Sequence, residues 1–173
     1  MRGRRGDERR RCFAPLRFAL DRRMLLLSLR LVHITAMALW FGAGLFANSD
    51  IRRSFANPAE IAGLRIRMQK TGIAAIAGGV ATIVSGVAMV FVLGGFAVVP
   101  WPIHAALGLA LLQAMVGGGG IGATWAKIDK QLGEGASPET LLPLAQRIYM
   151  FGGIFHALWL INLILMVFRS ALV

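Results

Sequence analysis

The stretch MLLLSLRLVHITAMALWFGAGLFAN, residues 24–48, decides the fold, because it holds a single charged residue, Arg30, and one imidazole, His33, in a long apolar run. At about 1.5 Å per residue such a helix crosses a hydrocarbon core about 30 Å thick. Three further segments read the same way: Gly72 to about Val98, Pro102 to Ala123, and Arg147 to Phe168. Lipid offers no partner for free backbone donors, so each must be helical rather than an open sheet. The short links make successive helices antiparallel neighbours. The fold class is therefore all-α, an integral membrane four-helix up-down bundle over residues 24–173, preceded by a basic tail over residues 1–23.

Composition agrees. Hydrophobic residues make up 57% of the 173 residues, and mean hydropathy is +0.66; this is more apolar material than a soluble domain of that size would cover. The partner implied is a lipid bilayer. A net charge of +11 taken alone points to nucleic acid, but the cations cluster at span ends and in the first 23 residues, the ordinary membrane pattern, so no nucleic-acid partner is expected. Cys12 is the only cysteine, which excludes an intramolecular disulfide and any multi-cysteine metal site.

The basic tail bears on topology. Met1 to Arg23 contains nine arginines, and Met24 is an equally good start. Counted from Met1, the side with the N-terminus, the Val98 to Trp101 loop and the C-terminus has eleven Lys and Arg against eight opposite; counted from Met24 it has two, Arg30 and Arg169. The second start places the loops Asp50 to Lys70 and Thr124 to Gln146 in the cytoplasm.

Within those loops, Asn57-Pro58 reads as a helix start, and Ser137-Pro138-Glu139 as the opening of a short surface helix. Gly72, Gly79 and Gly86 recur every seven residues on span two, a stripe that lets backbones approach or leaves room for a flat cofactor. Such glycine-rich faces also suit a second copy of the chain or another membrane partner. The Gly117 to Gly120 run, continued by Gly122, should weaken or kink span three or seat a neighbouring helix.

All three histidines, His33, His104 and His156, fall inside spans, where ionisable groups are costly and mark function by default. By rise per residue His33 lies roughly 7 Å and His104 roughly 5 Å from the N-terminal side, and His156 roughly 20 Å. His33 and His104 thus share a layer on diagonal helices, where two imidazoles can hold a haem iron or simply satisfy local hydrogen bonds. His33, Met37, Trp40 and Gly44 share one helix stripe, and imidazole with the Met37 thioether suits copper(I), though Met37 also serves as core filler. Tyr149, Gly152 and His156 share a face of span four. Gln113, a possible partner of His156, lies opposite His104 on span three, so only one of the two can face the centre.

The segment Arg30-Leu-Val-His33-Ile-Thr-Ala-Met-Ala-Leu-Trp40-Phe-Gly42-Ala-Gly44-Leu-Phe46 resembles the first helix of the copper-resistance protein D domain and related bacterial four-helix membrane proteins, which share a histidine followed by Trp-x-Gly. A weaker likeness covers residues 28–169. Through Trp40-Phe41 and Gly44-Leu45-Phe46 the chain also looks distantly like protoporphyrinogen oxidase of the HemJ type; it departs from that pattern near Trp101, where no lysine stands, and around Gly153 to Leu158. The resemblance implies a bacterial inner-membrane, multi-pass protein that binds haem b or copper for metal handling or electron transfer. The alternatives are a HemJ-like haem-dependent oxidoreductase and a non-catalytic structural or partner-binding subunit. Neither a nucleophile, nor a carboxylate pair, nor a phosphate loop stands in the spans, so hydrolytic and nucleotide chemistry have no apparatus there.

Overall fold

The computed structural model describes residues 4–168, with side chains described from Leu20 onward apart from that of Pro58. The described residues form the helices α1 Arg4–Ala56, α2 Ile61–Leu93, α3 Trp101–Met115, α4 Ala123–Gly133 and α5 Leu142–Val167. α3 and α4 are joined without a break by a π-helical turn, Val116–Gly122, and form one rod. Four rods result, each long and apolar enough to cross a membrane. Their flanks expose large apolar side chains such as Leu31, Ile34, Phe46, Ile76 and Val84, a surface that lipid covers and water would not. α1 begins at Arg4, so the basic stretch leads directly into the first rod.

Contacts between helices are antiparallel and give a ring. α1 lies between α2 and α5, α5 lies between α1 and the α3–α4 rod, and of the neighbouring helices in the ring α2 and α3 are the most loosely joined. α1 and α3 are therefore diagonal, as the short links require. Against α2, the closest approach is at Gly78, where a Cβ would stand 2.9 Å from the Trp40 nitrogen and 3.0 Å from the Ala36 carbonyl oxygen. Gly79 lies under the Trp40 indole and Gly86 under the His33 ring, so two members of the seven-residue stripe pack as expected, while Gly72 faces open space.

Both loops differ from the sequence reading in the same way. Instead of a loop from Asp50 to Lys70, α1 runs to Ala56, and only Asn57 and a 3-10 turn, Pro58–Glu60, separate it from α2. Instead of a loop from Thr124 to Gln146, α4 continues to Gly133, and Ser137 leads a 3-10 turn, Pro138–Leu141, straight into α5 rather than into a separate surface helix. Two causes extend the helices. Ala, Leu, Arg, Lys and Gln propagate a helix well, and the extensions share their own core: Ile51, Leu64, Ile128, Leu141, Ala145 and Ile148 are buried together. Around this core Arg67 pairs with Asp50 at 2.8 Å, Arg65 with Asp129 at 2.6 Å and Arg53 with Glu60 at 3.2 Å. Exposed pairs of this kind set geometry more than stability. They clamp α2 to α1 and to α4 at the basic end.

The opposite end is looser. α2 stops at Gly94, whose φ of +117° closes the helix with bonds from the Gly94 and Gly95 amides to Phe91 and Val90; only glycine takes this conformation without strain. The Arg22 guanidinium donates to the Val92 carbonyl, Nε at 2.9 Å, a cation at the negative end of the α2 dipole. Pro100 then caps α3 and Pro102 occupies its first turn, the position where a missing amide costs nothing.

A cavity between the rods and its candidate ligands

At this loose end a cavity of about 460 Å³ opens among all four rods. α1 supplies His33 and Met37, α2 supplies Thr82, Gly86 and Met89, α3 supplies Ala106 and Ala110, and α5 supplies Asn162 and Met166. Arg30 stands on its rim side of His33, one turn nearer the N-terminal end of α1. The volume falls in the range of small-molecule sites, and the lining is mainly apolar with a few convergent polar groups.

The His33 imidazole is held from one side. Its Nδ1 lies 2.9 Å from the Thr82 carbonyl oxygen and 3.0 Å from Ser85 Oγ. A carbonyl only accepts, so Nδ1 carries the proton and donates it, leaving the lone pair on Nε2. A backbone carbonyl that orients one ring nitrogen while the other stays a free donor of electrons is the usual support of a metal-ligating histidine. Gly86 makes room for the ring, since a Cβ there would meet Cε1 at 3.2 Å.

His104 is placed differently from the sequence expectation. The buried face of α3 carries Pro102, Ala106, Ala110 and Gln113, and His104 is exposed on the other side, its ring 6.0 Å from that of Phe96. It does not line the cavity. The two imidazoles that share a depth are thus not brought to face each other, because depth follows from position along the helix and facing follows from rotation about it. Of the pair Gln113 and His104, the structure turns Gln113 inward, 1% exposed, where its Nε2 donates to the Phe155 carbonyl at 3.5 Å.

His156 occupies the seam between α1 and α5. Its Nδ1 donates to the Gly152 carbonyl of its own helix at 2.6 Å, and its ring meets those of Phe41 and Phe155 edge-on at 5.2 and 5.6 Å. Gln113 is not its partner. Tyr149, on the same face, reaches the basic end, where the Arg52 guanidinium lies 5.3 Å from the centre of its ring. Along α1 the inward stripe divides: His33 and Met37 face the cavity, Trp40 packs on Gly79 and edge-on to Phe155, and Gly44 faces Phe155 and His156.

The sequence reading passed over Asn162, Met89, Met166 and Asn48. Asn162 and Asn48 were open to the same argument that singled out the histidines, since a polar side chain within a span asks for a partner. The two methionines gave no signal, being ordinary apolar filler in any membrane helix. Among the described residues no three His, Cys, Asp or Glu side chains cluster to hold a metal ion. Any metal here would depend on thioethers.

No family model, curated protein or solved structure matches the chain. The fold and the cavity define its class: an all-α bundle with the build of a multi-pass membrane protein and an apolar inter-helix cavity at one end.

Proposed function

We propose that the protein binds a copper(I) ion in this cavity, through His33 Nε2 and neighbouring methionine thioethers, and serves metal handling within the membrane. The observation that carries the reading is that His33, Met37, Met89 and Met166 all line one cavity. Copper(I) is soft and takes imidazole and thioether sulfur in low coordination numbers without needing carboxylates. The bond from Nδ1 to the Thr82 carbonyl supports Nε2 as a ligand. The resemblance of the His33 to Phe46 segment to the copper-resistance D domain points the same way.

Haem b is the second reading, in which His33 would be the residue that holds the iron, since the same Nδ1 bond suits an iron ligand. His104, on the outer side of α3, would take no part. The experiment is a titration of the detergent-purified protein with copper(I) under reducing conditions against a chromophoric chelator, together with its visible spectrum. His33→Ala and Met37→Leu are expected to weaken copper binding by about tenfold or more, a loss typical of altered metal sites, while His104→Ala leaves it unchanged. A Soret band that is lost in His33→Ala and persists in Met37→Leu overturns copper in favour of haem. Neither metal nor haem in the wild type would leave the structural, partner-binding reading.

A further inference from the structure

The cavity is deeper and more apolar than one metal ion requires. It follows α1 from Leu26 to Met37 and α2 from Thr82 to Leu93, in each case about 16 Å of helix rise. A hydrocarbon core is about 30 Å thick, so this is the depth of one leaflet. Only four of the lining residues carry polar side chains: Arg30, His33, Thr82 and Asn162. Three of these are tied to backbone carbonyls, His33 Nδ1 to Thr82 at 2.9 Å, Thr82 Oγ1 to Gly78 at 2.8 Å and Asn162 Nδ2 to Ala106 at 3.3 Å. Arg30 is different. Its side chain is exposed at the mouth, and none of the ion pairs among the described residues includes it.

Charge is divided unevenly between the two ends of the bundle. Asp50, Glu60, Asp129, Glu134 and Glu139 all stand at the clamped end. At the cavity end, the described cations Arg22, Arg23 and Arg30 share one described carboxylate, Asp21. Arg22 lies on the same stripe of α1 as Leu26, Arg30 and His33, and its partner, the Val92 carbonyl, is neutral. An excess of positive charge thus stands over an apolar shaft one leaflet deep.

We propose that the cavity seats an acyl chain of an anionic phospholipid from the leaflet at this end, with the lipid phosphate on the Arg30 guanidinium. Protein interiors hold few voids larger than a water molecule, and water does not fill an apolar one. In a bilayer, hydrocarbon does. α2 and α3, the most loosely joined neighbours in the ring, flank the cavity and give the chain its entry. A guanidinium meets phosphate oxygens with paired N–H donors, and a cation near the membrane surface favours acidic lipids. The proposal does not rest on the copper reading, since the apolar wall and Arg30 hold the lipid, whereas His33 and the thioethers would hold the metal.

The test titrates the full chain, metal-free and in detergent, with phosphatidylglycerol or with phosphatidylcholine of the same acyl chains, and counts bound lipid by native mass spectrometry. The wild type is expected to retain one phosphatidylglycerol and to bind it about fivefold more tightly than phosphatidylcholine, the effect of one arginine near the surface. Arg30→Gln, at an exposed position, should bind the two lipids equally. Ala110→Phe, which places a ring in the cavity, should retain neither. Inorganic phosphate is expected not to displace the lipid. Overturning results are a wild type that retains no lipid, a preference that survives in Arg30→Gln, displacement by inorganic phosphate, or wild-type retention by a folded Ala110→Phe, which would put the lipid on the outer surface. If Ala110→Phe does not fold, Arg30→Gln decides alone. No metal is present, so a negative result leaves the copper site standing, and a failed copper titration leaves the lipid site standing.

Discussion

At the scale of single residues, rotation about a helix axis decides chemistry. The rise per residue predicts one depth for His33 and His104, yet Nδ1 of the first is held against α2 and the second is exposed beside Phe96. Glycines show the same dependence on facing. Gly78 and Gly72 lie on one helix six residues apart, and only Gly78 faces the α1 backbone. Gly78→Ala must push α1 and α2 apart and is expected to cost about 1–3 kcal/mol, as overpacking does, whereas Gly72→Ala, in open space, should be neutral or add about 0.5–1 kcal/mol through helix propensity. Thermal unfolding in detergent compares the two; equal melting temperatures would remove the close contact from the account. The seven-residue repeat named Gly72 and missed Gly78, because a repeat reports spacing along the chain and not which member meets a neighbour.

At the scale of elements, the glycine run in the third rod becomes a π-helical turn instead of an end. The Ala123 amide reaches the Gly118 carbonyl, five residues back, and Thr124 Oγ1 donates to the Gly120 carbonyl at 2.6 Å, satisfying a group that the wider turn loosens. The run also seats α5: a Cβ on Gly120 would stand 2.8 Å from the Phe151 ring, and Gly117 faces Phe155. Gly118 and Gly119 face open space. Gly120→Ala is therefore expected to destabilise the α3–α4 rod against α5, while Gly119→Ala stabilises by up to about 1 kcal/mol. Opposite shifts in melting temperature are the readout, and a harmless Gly120→Ala would show that Phe151 is free to move. Seating of a helix by these glycines was legible from composition; the π geometry was not, since it depends on what α5 places opposite.

At the scale of the whole molecule, the bundle is clamped at one end and open at the other. The buried core with Ile51, Leu64, Ile128 and Ile148 lies at the basic end, and the cavity lies where α2 and α3 part. Ile128→Ala, at a fully buried position, is expected to cost about 2–5 kcal/mol with copper binding in the folded fraction unchanged, measured by unfolding and by metal titration; joint loss of affinity would mean that the two ends are coupled. Eight Lys and Arg flank the clamp, so the positive-inside rule sets this end in the cytoplasm when translation starts at Met24. A reporter fused after Val173 is then expected on the far side, and a cytoplasmic signal would reverse the orientation. The sequence alone determined the number of rods, their antiparallel order, the diagonal placing of the first and third, and the inward stripe of His33, Met37, Trp40 and Gly44, because hydropathy, link length and helical period are read locally along the chain. Only the tertiary structure decided that His104 faces out, that Met89, Met166 and Asn162 join His33, and that the loops are helical. Those outcomes depend on which helix packs against which face, and close packing between segments distant in sequence leaves no local trace.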